Sequence, residues 1–226
     1  MLNVPILQQL LNQVPPFSLR QILIVVIIAS TAMFLMNSHK ASIVLLLSQY
    51  TLLPQLLSKH LHQSIFLTRL GIGFSICLIL YLTADHMQNL PLATESADQS
   101  RICPGRGKAR NMGLAFRTLA LMLGGFAAHR LWCRYPLPPM PPELTLASYW
   151  LMSGGLFVTL VSGNPLRMGF GLLSFINGFV ALYLFWEPGF LVTGLLNVVD
   201  ILFAVGIVLF AESWLDAPPA KARSKE

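Results

Sequence analysis

The chain is 226 residues long, 55% hydrophobic and 11% charged, against about 25% charged residues in an ordinary soluble domain. So few charges cannot clothe a water-facing surface, and a soluble globular enzyme is excluded. The net charge of +6 comes from 15 Lys and Arg against 9 Asp and Glu. These cations flank apolar runs, a placement that the positive-inside rule explains and that argues against a nucleic-acid partner.

At about 20 apolar residues per crossing, the length leaves room for about six to eight spans. The pattern predicts an all-α polytopic bundle of about seven transmembrane helices, with the lipid bilayer as its first partner. Residues 1–20 carry Gln8, Gln9, Asn12 and Gln13 among their apolar positions and no basic leader, so they are expected to lie as an amphipathic segment at the interface. Gln21–Met36 is almost uninterrupted Ile, Val, Leu and Ala, the first span. Ala41–Ser58 is the second, and within it Gln49 must hydrogen-bond to another helix while Pro54 frees a backbone carbonyl. Ser64–Ala84 is the third and carries Arg69 in its first two turns, placed either to snorkel to the surface or to serve as a buried cation.

Residues 85–111 hold Pro91, Pro104, Gly105 and Gly107 with Arg101, Arg106, Lys108 and Arg110, a basic cytoplasmic loop. Gly105-Arg106-Gly107-Lys108 lacks the preceding strand and the Lys-Ser/Thr ending of a phosphate loop. Gly113–Trp132 is the fourth span. Five prolines among Tyr135–Pro142 predict a stiff, extended, non-helical connector. Leu144–Ser162, Leu166–Trp186 and Phe190–Leu215 then form a hairpin series of three spans, followed by a polar tail at 216–226. An odd number of spans puts the termini on opposite sides. One side collects Lys40, Arg101, Arg106, Lys108, Arg110, Arg167, Lys221, Arg223 and Lys225, the other Arg20, Lys59, Arg130 and Arg134. The asymmetry predicts an external N-terminus and a cytoplasmic C-terminus.

An ionised carboxylate in hydrocarbon costs about 2.5 kcal/mol or more, so it needs a partner, a proton or a water path. Asp200 in the last span is such a residue. Asn197, one turn earlier, shares its helix face. Two readings follow: a proton or ion pathway, or a buried structural pair with Arg69, Arg117 or Arg167. Asn177 is a mid-membrane amide expected to bond across to Asn197 or Asp200, and Gly171, Ser174 and Gly178 form a small-residue stripe suited to close helix packing. His39, His60, His62 and His129 lie near span ends and Cys77, Cys103 and Cys133 stand far apart, so no metal centre or cofactor motif is expected.

From Ser162 to Trp214 the run Asn164-Pro165-Leu166-Arg167, Phe170-Gly171, Asn177-Gly178 and Asp200-Ile201-Leu202-Phe203-Ala204-Val205 resembles the closing three helices of the hydrogenase-4 component E family, which is related to the small K subunit of complex I. Ser42, Gln49 and Phe66-Leu67-Thr68-Arg69 sit where that family has comparable residues, with Arg69 in place of its usual Lys. The resemblance implies a K-subunit-like module in the last three helices and an accessory subunit of an energy-converting hydrogenase or dehydrogenase arm. It would assemble with antiporter-like subunits in a prokaryotic inner membrane and have no redox centre of its own. It also implies a proton pathway through Asp200, Arg69, Asn177, Asn197 and Gln49. The family's acid before the Asn-Gly pair falls at Ile176, so one station of such a relay is lost. The alternatives are a purely structural membrane scaffold and a free-standing small-solute transporter.

Overall fold

The computed structural model describes residues 19–36, 38–57, 63–89, 114–138, 140–162, 165–187 and 189–216. Residues 1–18 of the expected interfacial segment, the four cations of the basic loop, the cations of the tail, and His60 and His62 lie outside these residues, while Leu19 and Arg20, expected in that segment, open the first helix instead. Within them the chain is all helical: α1 (Leu19–Leu35), α2 (His39–Leu57), α3 (Gln63–Asn89), α4 (Leu114–Arg134), α5 (Pro142–Val161), α6 (Pro165–Trp186) and α7 (Phe190–Asp216).

Four of these, α3, α5, α6 and α7, are long and apolar enough to cross a membrane. The apolar α1 is shorter at 17 residues. α2 dilutes its leucines with Ser48, Gln49 and Gln55, and α4 carries Arg117, His129, Arg130 and Arg134. Bare hydrophobic side chains cover the outside of the bundle: Leu191 is 80% exposed, Met122 76% and Leu160 73%. In water such a surface would drive aggregation, whereas lipid solvates it.

Consecutive helices pack against one another along α1–α2–α3 and α4–α5–α6–α7. The two series join where α1 meets α4 and α5, where α2 meets α6, and where α3 meets α7. α6 is the most enclosed helix, with 13 buried residues. The α5–α6 contact explains why. A Cβ on Gly155 would come within 2.5 Å of the Gly171 carbonyl oxygen, and one on Gly171 within 2.8 Å of that of Gly155. The small-residue stripe of α6 therefore meets a glycine on α5, and the two backbones touch.

Two apolar clusters fill the interior, one toward each end. Phe34, Leu46, Tyr50, Leu80, Leu121 and Phe170 belong to the first. Val26, Leu53, Leu144, Leu151, Ile176 and Val180 belong to the second. Polar side chains are buried between and beside them: Ser30, Gln49, Arg69, Ser148, Ser174, Asn177, Asn197 and Asp200.

Two local expectations change. Pro142 is the first residue of α5, since proline lacks only an N–H that a first turn cannot use. The connector before it is no plain spacer: the Met140 N–H donates to the Leu137 carbonyl at 2.8 Å, and Met140 tucks into the second apolar cluster. α3 also continues to Asn89, past the expected end at Ala84 and into the segment read as loop.

Candidate functional site

The centre of the bundle is built on Arg69. It lies on the inner face of α3, 3% exposed, and so does not snorkel. A guanidinium buried in this way requires a counter-charge and acceptors for its fork of N–H donors. α7 and α6 supply both. Nη1 donates to Asp200 Oδ2 at 2.6 Å and to Asn197 Oδ1 at 3.0 Å, and Nη2 donates to Asn177 Oδ1 at 3.2 Å. Asp200 is 0% exposed.

Helical spacing explains why these residues converge. Asn197 and Asp200 are three apart and therefore share one face of α7, and α7 packs on both α3 and α6. The expected direct bond from Asn177 to Asn197 or Asp200 is replaced by a shared partner. The arginine fork sits between the helices and each amide turns its oxygen toward it. Of the three arginines considered as counter-ions, Arg69 is the one that pairs. Arg167 donates from Nη2 to the Met36 carbonyl, and Arg117 lines a cleft beside it.

Gln49 belongs to the next polar layer on α2, where its Oε1 accepts from the Ser174 hydroxyl at 3.2 Å and its Nε2 approaches the Met33 sulfur at 3.9 Å. It makes no bond to Arg69. Its sequence neighbour Tyr50 does reach the centre, with the Arg69 guanidinium 5.8 Å from the ring centroid. Helical spacing alone does not announce that contact, and its one signal in the sequence is a phenol among the leucines of α2. Ser174, read only as a packing position, also belongs to the polar layer. Ser42 stays outside it, its hydroxyl donating to the Ser38 carbonyl at 3.1 Å. Ile176 faces the second apolar cluster and not the ion pair.

Four buried polar atoms here have no partner among the described residues: Asp200 Oδ1, Asn177 Nδ2, Asn197 Nδ2 and Tyr50 Oη. Beside Arg69 and Asn177, a cavity of about 20 Å³ bounded by Leu53, Pro54, Leu57 and Ile65 lies on the side of the α2–α3 connection. That volume admits about one water molecule. Among the described residues no group of three His, Cys, Asp or Glu side chains gathers as a metal site would require. The centre can therefore hold a charge pair, exchange a hydrogen bond and accept a water. No family model, characterised protein or solved structure matches the chain.

Proposed function

We propose that the chain is a seven-span accessory subunit of an energy-converting, hydrogenase- or complex-I-like membrane arm in a prokaryotic inner membrane, and that Arg69 and Asp200 take part in moving protons through it. The observation that carries this reading is a fully buried ion pair ringed by amide and phenol groups with unspent hydrogen-bonding capacity. Buried polar atoms left over in a folded protein commonly hold water, and intramembrane ionisable residues are kept most often for ion or proton pathways. In this reading Asp200 is the titrating group, Arg69 the cation that biases it, and Asn177, Asn197 and Tyr50 the supports of a short water chain. Gln49 extends that chain on the α2 side. α1, α2 and α4 are taken as spans because they pack along the four apolar helices, with the N-terminus outside and the C-terminus cytoplasmic, as the cation asymmetry favours.

Tagged protein purified from its own membrane is expected to bring antiporter-like and hydrogenase or dehydrogenase subunits with it. Asp200→Asn should leave that assembly intact and abolish coupled proton movement in inverted membrane vesicles. Normal coupling in the variant rejects the pathway.

A purely structural bracket is the second reading. Ile176, buried in an apolar cluster where the resembled family has an acid, favours it, as does the closeness of the Arg69–Asp200 contact. Under it Asp200→Asn leaves coupling unchanged, while deletion of the subunit disperses the arm.

A further inference from the structure

At the bundle end that gathers Met36, Lys40 and Asp85, a narrow cleft opens among α1, α4, α5 and α6. Phe34, Leu121, Val158 and Ser162 line it together with Arg117 and Arg167. Each arginine stands in the first turn of its helix, Arg117 fourth in α4 and Arg167 third in α6. The positive ends of two helices therefore point the same way as two cationic side chains.

Arg167 is 9% exposed and spends a donor on the Met36 carbonyl, which closes the end of α1. Arg117 makes no hydrogen bond or ion pair with any described residue, and the two guanidiniums act on each other as like charges. Of the carboxylates at this end, Asp85 is engaged by Lys40 at 3.3 Å and Glu212, on α7, is not among the residues that line the cleft. Two cations share one cleft without a described anion to balance them. The cleft interior, about 10 Å³, holds at most a water, so a balancing group would rest at its mouth. Away from the cleft the outer face of α4 is bare and apolar, with Leu119 at 62% and Leu123 at 54% exposure, the kind of surface against which acyl chains lie.

We propose that Arg117 and Arg167 form a seat for a phosphate group, of the kind carried by an anionic phospholipid headgroup. The planar guanidinium fork matches phosphate oxygens in pairs, and the phosphate relieves the repulsion between the two side chains. Arg167 is positioned by the α1 terminus and Arg117 closes on the anion from α4. The proposal is independent of the Arg69 centre.

The test uses full-length protein in neutral detergent with three probes: phosphatidylglycerol, phosphatidylcholine at the same ratio, and inorganic phosphate. Retained lipid is read by native mass spectrometry and protection by the thermal midpoint. Phosphatidylglycerol is expected to be retained over phosphatidylcholine, and Arg117→Gln to weaken its retention about fivefold. Arg117 bonds to no described residue, so the variant should fold as the parent does. Protection by inorganic phosphate that Arg117→Gln abolishes would assign the seat to a free anion and also support it. Lys40→Gln, a basic residue at the same end outside the cleft, should leave retention unchanged. Equal retention in Arg117→Gln and the parent, an equal loss in Lys40→Gln, or no preference over phosphatidylcholine together with no effect of phosphate would each overturn the proposal.

Discussion

Tyr50 lies against the Arg69 guanidinium because Gly73, one turn further along α3, leaves it room. A Cβ on Gly73 would stand 2.6 Å from Tyr50 Cβ, while the guanidinium is 5.8 Å from the ring centroid. Residues 69 and 73 share a helix face. The glycine thus admits the ring and the arginine holds it, and α2 is keyed to α3 at the depth of the ion pair.

This arrangement separates the roles of the ring and the hydroxyl. Tyr50→Phe removes an Oη that no described residue engages and retains the stack, so stability in detergent should stay within about 0.5 kcal/mol of the parent. Tyr50→Leu removes the cation–π contact and should cost a further ~1 kcal/mol. Equal effects of the two changes, measured by reversible unfolding in mixed micelles, would show that the ring contributes nothing electrostatic. Under the proton-pathway reading Tyr50→Phe also slows coupled transport, which the bracket reading does not expect.

The ion pair makes a prediction about sums. Arg69→Met or Asp200→Leu alone leaves a buried charge without its partner and should cost about 3–5 kcal/mol. The double variant removes both charges and should be clearly more stable than either single one, because the desolvation of the pair disappears with its attraction. Additive losses in a double-mutant cycle would contradict the direct contact at 2.6 Å.

Gly155→Val should separate α5 from α6. The first added carbon would meet the Gly171 oxygen at 2.5 Å and the Phe175 nitrogen at 2.6 Å, both backbone atoms that cannot swing away. A loss of about 1–3 kcal/mol is expected, typical of overpacking. Gly194→Ala, where nothing lies within 4 Å, should be neutral or slightly stabilising. Thermal midpoints of the two variants in one detergent check the contrast.

An acid placed at Ile176 should not open a proton path in this chain. The side chain is packed among Val26, Leu53, Leu151 and Val180, so Ile176→Glu places a carboxyl in hydrocarbon without a described cation facing it. A destabilisation of about 3 kcal/mol is expected. A stable variant with faster coupled transport would mean that this cluster admits water.

Helix positions were readable from the sequence because most of the helices are apolar runs bounded by polar residues, proline or glycine. α6 and α7 begin and end within a residue of where their patterns place them. The candidate site was readable in its members, since Asp200, Arg69, Asn177 and Asn197 are polar groups that hydrocarbon does not tolerate singly. Its wiring was not. Sequence spacing reports which residues share a face of one helix, and says nothing about which face of α3 meets α7. The close approaches were equally hidden: the stripe on α6 announced a tight contact, but Gly155 on α5 and Gly73 on α3 reveal their roles only when the opposing helix is in place. Gln49 illustrates the limit. It was grouped correctly with buried amides and serves a neighbouring layer, through Ser174, instead of the arginine.

The partners of the central pair lie 131 positions apart in the chain, and that gap has a cost during biogenesis. At ribosomal speeds Asp200 emerges on the order of ten seconds after Arg69. In the interval the nascent third helix carries a lone guanidinium with nothing to neutralise it. Such a segment rests poorly in lipid by itself, so the insertion machinery must shelter it or delay its release until the last helix arrives. A ribosome-stalled intermediate ending before α7 should accordingly remain crosslinkable to the translocon through α3, and release should follow once Asp200 has been made.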